Sequence, residues 1–290
     1  MSVEDQLLNI AVFCDFENIA LGARDANYDA FDIQLVLERL LDKGKIVVKK
    51  AYADWDRYKS HKRAMHEASF ELIEIPHVSY SGKNSADIRL VVDALDLCYT
   101  KTHVDTFAVL SGDSDFSPLV SKLRENNKMV IGVGVKNSSS DLLIENCDEF
   151  IYYDDLVRKK QQVAKSKGKG SRRDGGKEPR ESKEPKDKEA KDKEAKKEPP
   201  RDSDEIGNKD EAIELVLDTC EALFQEREGN LWGSLVKQTL KRKRPNFDET
   251  FYGYRSFSQL ILECKNRGFL ETKRDDKSGD QLILGFGSEA

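Results

Sequence analysis

TFAVLSGDSDFSPLVSKLRENNKMVIGVGV, residues 106–135, decides the fold. It opens on an apolar β-branched run, Thr106–Ser111, passes through the acidic turn Gly112–Asp115, and continues as a helical pattern over Ser117–Asn126. A second apolar run, Met129–Val135, closes it. Two short apolar strands joined by a helix form a parallel pair, because a crossover of this length returns the chain in the same direction.

The same alternation extends outward on both sides. Upstream, Asn9–Cys14 reads as a buried strand, and Ile33, Val36, Leu37, Leu40 and Leu41 mark an amphipathic helix ended by Gly44. Ile46–Ala53 and Glu71–Pro76 read as strands, with helices at Arg57–Ser69 and Ser85–Tyr99. Downstream come a short helix, Asp141–Asn146, and a last strand, Glu149–Tyr153. Such a βαβα chain predicts an α/β domain: one largely parallel sheet with helices on both faces, in three layers, over residues 1–157.

Residues 158–207 have a different composition. They are dense in Lys, Arg, Asp and Glu, and KDKEA occurs twice in succession. Too little apolar surface is present to offset the ordering entropy, so a disordered charged linker is expected. Residues 208–290 regain helical periodicity at Asp210–Gln225, Leu231–Leu240 and Ser256–Arg267. Phe269–Lys273 and Gln281–Leu284 then suggest a hairpin around Asp276–Gly279. Three helices followed by a hairpin describe a small α+β winged-helix domain.

The whole chain carries a net charge of −6 and five cysteines with no C-x-x-C pair. That usage points away from a disulfide framework and from a zinc site, and towards a reducing cytoplasm. No stretch approaches a membrane span, and the start lacks the basic region of a signal peptide. Residues 1–157 hold a net −10, whereas residues 158–205 are net +6. Cations bound by an acidic domain would reverse the local sign.

In doubly wound sheets ligands bind beyond the carboxyl ends of the strands. Three acidic segments fall there. Asp15, Glu17 and Asn18 follow the first strand in FCDFEN, Asp113 and Asp115 follow the strand in the opening stretch, and Asp87 begins the helix in GKNSADIRLVVDAL. Crowded carboxylates repel, and a hard oxygen-seeking cation relieves the repulsion. Mg2+ held there would activate water and neutralise a phosphodiester, so hydrolysis at phosphorus is the expected chemistry. Asp15, Asp87 and Asp113 are the expected ligands, with Asp115 and Glu17 acting through water or on a second ion. Lys83, Lys136 and Asn137 are candidates for the substrate backbone, together with Asn18. Any one such acid taken alone is more often a helix cap or turn residue, Asp115 and Asp141 being the cap candidates. His61 and His66 miss the H-E-x-x-H spacing, no Walker motif is present, and Cys14 falls inside the first strand.

FCDFEN, GKNSADIRLVVDAL, LSGDSDFSPLVSKLRENNKMVIGVG and SSSDLLIENCDEFIYYD, taken in order, resemble the NYN domain, in the LabA-like group of the PIN-like nucleases. The resemblance covers about residues 8–155. It implies Mg2+- or Mn2+-dependent ribonuclease activity, with metal and catalytic roles for Asp15, Asp87, Asp113 and Asp115. GNLWGSLVKQTLKRKRPNFDETFYGYRSFSQLILECKNRGFLET resembles the OST-HTH/LOTUS domain, which implies RNA binding or docking on a helicase or another protein. Lys237, Lys241, Arg242, Lys243, Arg244 and Arg255 are its candidate cations, with Tyr252 and Tyr254 for base stacking. The alternative reading is a non-catalytic RNA-binding or scaffolding protein. The oligomeric state is left open by the sequence.

Overall fold

A computed structural model describes residues 8–28, 30–75, 85–168, 207–227, 229–275 and 279–289. The candidate Lys83, the linker beyond residue 168 and the turn residues 276–278 lie outside them. The chain runs β1 (Leu8–Asp15), α1 (Phe16–Asp25), α2 (Ile33–Leu41), β2 (Gly44–Ala53), α3 (Lys59–Glu67), β3 (Glu71–Glu74) and α4 (Ser85–Thr100). It continues through β4 (Thr106–Leu110), α5 (Ser117–Glu125), β5 (Met129–Gly134), α6 (Asp141–Asn146), β6 (Glu149–Tyr152) and α7 (Tyr153–Gly168).

The six strands form one parallel sheet in the order β3-β2-β1-β4-β5-β6. The period-2 alternation of β1 explains the layering. Ile10, Val12 and Cys14 pack with Phe16, Ile19, Val36, Leu40, Met65 and Leu156 of α1, α2, α3 and α7. Ala11 and Phe13 pack on the other face with Leu90, Leu119, Leu123 and Leu143 of α4, α5 and α6. Chain order reverses between β1 and β4, so the switch point of the sheet lies between their carboxyl ends.

Residues 207–289 form a smaller unit: α8 (Lys209–Glu226), β7 (Leu231–Trp232), α9 (Gly233–Lys243), α10 (Phe257–Asn266), β8 (Leu270–Arg274) and β9 (Gln281–Phe286). The strands make an antiparallel sheet ordered β7-β9-β8. Three helices and the β8–β9 hairpin match the winged-helix expectation; β7 is an added strand from residues expected to start a helix. The five cysteines are free and buried. Among the described residues no helix is long and apolar enough to cross a membrane.

Two helices depart from the expectation. α1 begins immediately after Asp15, in a stretch to which the sequence pattern assigned no element, and Phe16, Ile19 and Ala23 bury its inner face. α7 carries helix on to Gly168, so residues 158–168 are helical although their composition reads as linker.

Candidate active site

The sequence-predicted acids meet at the switch point. Asp15 is the last residue of β1 and only 6% exposed. Its carboxylate accepts the Asn18 backbone N–H at 3.3 Å, which caps α1, and the Ser111 hydroxyl at 3.0 Å. Ser111 directly follows β4 and also receives the Asp113 N–H at 3.2 Å. Asp113 caps the 3-10 turn Ser114–Phe116, its Oδ1 accepting the Asp115 N–H at 3.0 Å. Asp115 is exposed and leaves the N-terminus of α5 uncapped by any side chain. Asp141 likewise lies in the first turn of α6 and is not its cap. Asp87 sits in the first turn of α4 and faces the same space.

The electrostatics show the convergence. Burial, and then the negative field of Asp87, push the Asp15 carboxyl up to about 7; the Asn18 N–H and Ser111 hydroxyl pull against that shift, and Glu17 adds to it. Burial raises Asp87 to about 6, with Asp113, Asp115 and Glu17 adding repulsion. None of these five acids has an ion-pair partner among the described residues. No three potential ligands are close enough to form a closed cage there. Mg2+ does not need one, since one or two carboxylates plus water and phosphate oxygens complete its shell. Hard, uncompensated oxygen donors of this kind fit a divalent cation.

The sign of the pH effect follows from linkage. The Asp15 carboxyl has a higher pKa folded than unfolded, so between about pH 4 and 7 the folded state binds the extra proton. Stability of the metal-free protein is therefore expected to fall as pH rises through that window. Divalent cation should recover it, with a larger rise in melting temperature at pH 8 than at pH 5. Melting curves with and without Mn2+ check this; a metal-free stability flat from pH 4 to 7 would remove the acid cluster as its cause.

Other candidates take different places. The Asn18 side-chain oxygen accepts the Gly112 N–H at 2.8 Å, so it ties α1 to the loop after β4. Gly112 is required by close packing: a Cβ there would lie 2.2 Å from the Ser138 carbonyl oxygen. Asn137 is exposed on the turn Lys136–Ser138 beyond β5. Lys136 extends the other way, its Nζ 4.5 Å from the Phe251 ring centre. Asp93 is structural, accepting Tyr52 at 2.9 Å and Arg89 at 3.1 Å. Ser111 and Gly112 were not among the predicted site residues, although SGDSDF contains both; only their placement beside β1 gives them a role.

The C-terminal cations are redistributed by contact between the two units. Lys241 bonds Glu149 at 3.0 Å, and Lys43 bonds the same carboxylate at 2.7 Å. Burial alone would raise Glu149, but Lys241 and Lys43 outweigh it and hold it below its ordinary range. Pro245 accepts the Phe150 N–H of edge strand β6 at 3.0 Å, and Asn246 donates to Tyr152 at 3.2 Å. Lys159 pairs with Asp248 at 2.8 Å. Lys237 is paired too, with Glu249 at 2.7 Å. Arg242, Lys243 and Arg244 stay exposed. Tyr252 and Tyr254 correct the stacking expectation: both are buried within the core of the C-terminal unit.

The meiosis regulator and mRNA stability factor 1 of Xenopus tropicalis is 24% identical over 155 residues, 53% of this chain and 9% of that protein. An uncharacterized protein of Methanocaldococcus jannaschii is 30% identical over 122 residues, 41% of this chain and 46% of that protein. The chain thus spans under half of one relative and a small part of the other. A crystal structure of a Vibrio parahaemolyticus protein of unknown function aligns at 27% identity and a TM-score of 0.47, covering 54% of this chain and 98% of that one. The family model described as "NYN domain" matches residues 9–154.

Proposed function

This chain belongs to the NYN domain family, and from that premise we propose that it is a Mg2+- or Mn2+-dependent ribonuclease acting at Asp15, Asp87, Asp113 and Asp115. The family implies a nuclease-like function on RNA. The observation that carries the finer reading is the meeting of these acids at the β1/β4 switch point without a counter-cation. The Xenopus relative's name, which speaks of mRNA stability, agrees with RNA as substrate.

A bound divalent cation would neutralise charge on the phosphodiester and favour ionisation of the attacking water. The chain's own groups set the geometry. Ser111 and the Asn18 N–H hold the Asp15 carboxylate in one orientation. Asn18 and Ser111 together fix the Gly112–Asp113 loop against β1. Asp87 enters from α4 on the opposite side of the sheet from α1. Its raised pKa, like that of Asp15, makes the cluster a poor anion until charge is compensated.

The C-terminal unit is proposed to be an OST-HTH/LOTUS module that binds RNA through Arg242, Lys243 and Arg244, with Lys241 used for docking instead. A helicase or other protein partner is the alternative for this module. The test is cleavage of a labelled single-stranded RNA by the full chain in a Mn2+ titration. Cleavage is expected to appear with metal and vanish with chelator. RNA binding without metal-dependent cleavage would favour a non-catalytic binding protein.

A further inference from the structure

Helix α4 is apolar on two sides. Leu90, Ala94 and Cys98 are buried against the sheet. On the outer side Ile88, Val92 and Tyr99 are 63%, 55% and 58% exposed, and Leu95 between them is half-buried. A helix at a protein surface normally turns charged residues outward. Here the outer residues follow steps of four, three and four, the spacing of a seam between two packed helices.

We propose that the chain forms a two-fold dimer in which α4 packs antiparallel against α4 of a second copy. A two-fold interface must be complementary to itself: what residue i meets at j, residue j meets at i. The α4 stripe meets this condition in shape and in charge. Setting Ile88 opposite the second copy's Tyr99 places Val92 opposite its Leu95, so every apolar position has an apolar partner. The flanking positions then bring Arg89 of each copy towards Asp96 of the other. Asp96 is exposed and has no ion-pair partner among the described residues. Arg89 holds Asp93 on its own helix and keeps its side chain 58% exposed, so it is available to reach across. In a parallel pair this flank faces the opposite flank of the other copy, which carries Val91 and Cys98, so neither Arg89 nor Asp96 would meet an opposite charge.

The dimer bears on the active site through position. Asp87 immediately precedes Ile88, so the interface would hold the end of α4 that carries a site carboxylate. A helix of 16 residues is about 24 Å long, and the antiparallel arrangement would put the two Asp87 residues at opposite ends of the seam. Two independent sites would then open on opposite sides of the dimer.

The test is sedimentation of the full chain, up to about 100 µM, where a dimer of micromolar affinity is fully formed. A species of twice 33.0 kDa is expected. Val92→Glu should raise the dissociation constant roughly a hundredfold or more, because the buried apolar group is lost from both copies. Its circular dichroism should stay unchanged, since Val92 is exposed in the single chain. Asp96→Arg should weaken the dimer, and adding Arg89→Glu should restore it. A wild-type chain that is monomeric throughout, or a dimer indifferent to Val92→Glu, overturns the proposal. A double charge variant no tighter than Asp96→Arg alone overturns the antiparallel pairing.

Discussion

Asp113→Asn is expected to lower metal-dependent RNA cleavage by roughly a thousandfold or more, since a lost metal carboxylate forfeits several kcal/mol of transition-state stabilisation. The fold should survive. Asn keeps the side-chain oxygen that accepts the Asp115 N–H, and Asn caps as well as Asp. Removing the Asp113 charge also relieves the repulsion that helps raise Asp87, so the metal-free variant should melt no lower than wild type. The effect belongs in kcat at saturating RNA, because the exposed C-terminal cations that supply uniform binding are unaltered. Single-turnover cleavage with Mn2+, read beside metal-free melting curves, separates the two effects. Cleavage at the wild-type rate would mean that Asp113 is only the cap of its 3-10 turn.

The second large effect concerns the joint between the units. Glu149→Gln leaves Lys43 and Lys241 facing each other in a mostly buried position. Removing one partner of a buried ion pair costs about 3–5 kcal/mol, and the partial exposure of these lysines places this case near the lower end. The C-terminal unit is expected to come away from the β6 edge, increasing the radius of gyration in solution scattering and splitting the unfolding transition in two. The charge exchange Glu149→Lys with Lys241→Glu should restore the compact form. An unaltered radius of gyration and a single unfolding transition in Glu149→Gln would show that Pro245, Asn246 and Asp248 hold the units together without the carboxylate. The same contact changes what Lys241 does: neutralising it should disturb docking more than it weakens RNA binding, whereas Arg242 and Lys243 should affect the salt dependence of binding.

Local sequence determined the elements whose side chains repeat at a clear period. Strands β1, β4 and β5 are apolar on both faces because both faces are covered, and the acids that end β1 and follow β4 stand out against those runs. The class of the sheet and the position of Asp15, Asp87 and Asp113 near one edge followed from that pattern. Helix α1 did not, because only Phe16, Ile19, Gly22 and Ala23 of its ten residues are buried, and its cap is the same Asp15 that reads as a site residue. Helix α7 was hidden by its charges; few apolar residues beyond Leu156 and Val157 mark it, and tertiary packing on α2 and β6 supplies what propensity lacks.

Tertiary structure alone decided what depends on distant residues coming together. Strand order put β1 beside β4, which converts Ser111 into a support for Asp15 and Asn18 into a tie to Gly112, partners 96 and 94 positions apart. It raised Asp15 and Asp87, since a carboxyl's pKa depends on burial and on charges that are remote in sequence. It also divided the KRKR run, placing Lys241 on Glu149 while Arg242, Lys243 and Arg244 stay exposed, and it closed Tyr252 and Tyr254 into the C-terminal core. Periodicity reports which face of an element is apolar, but it does not contain which partner that face or charge will meet; packing among non-neighbouring elements supplies that.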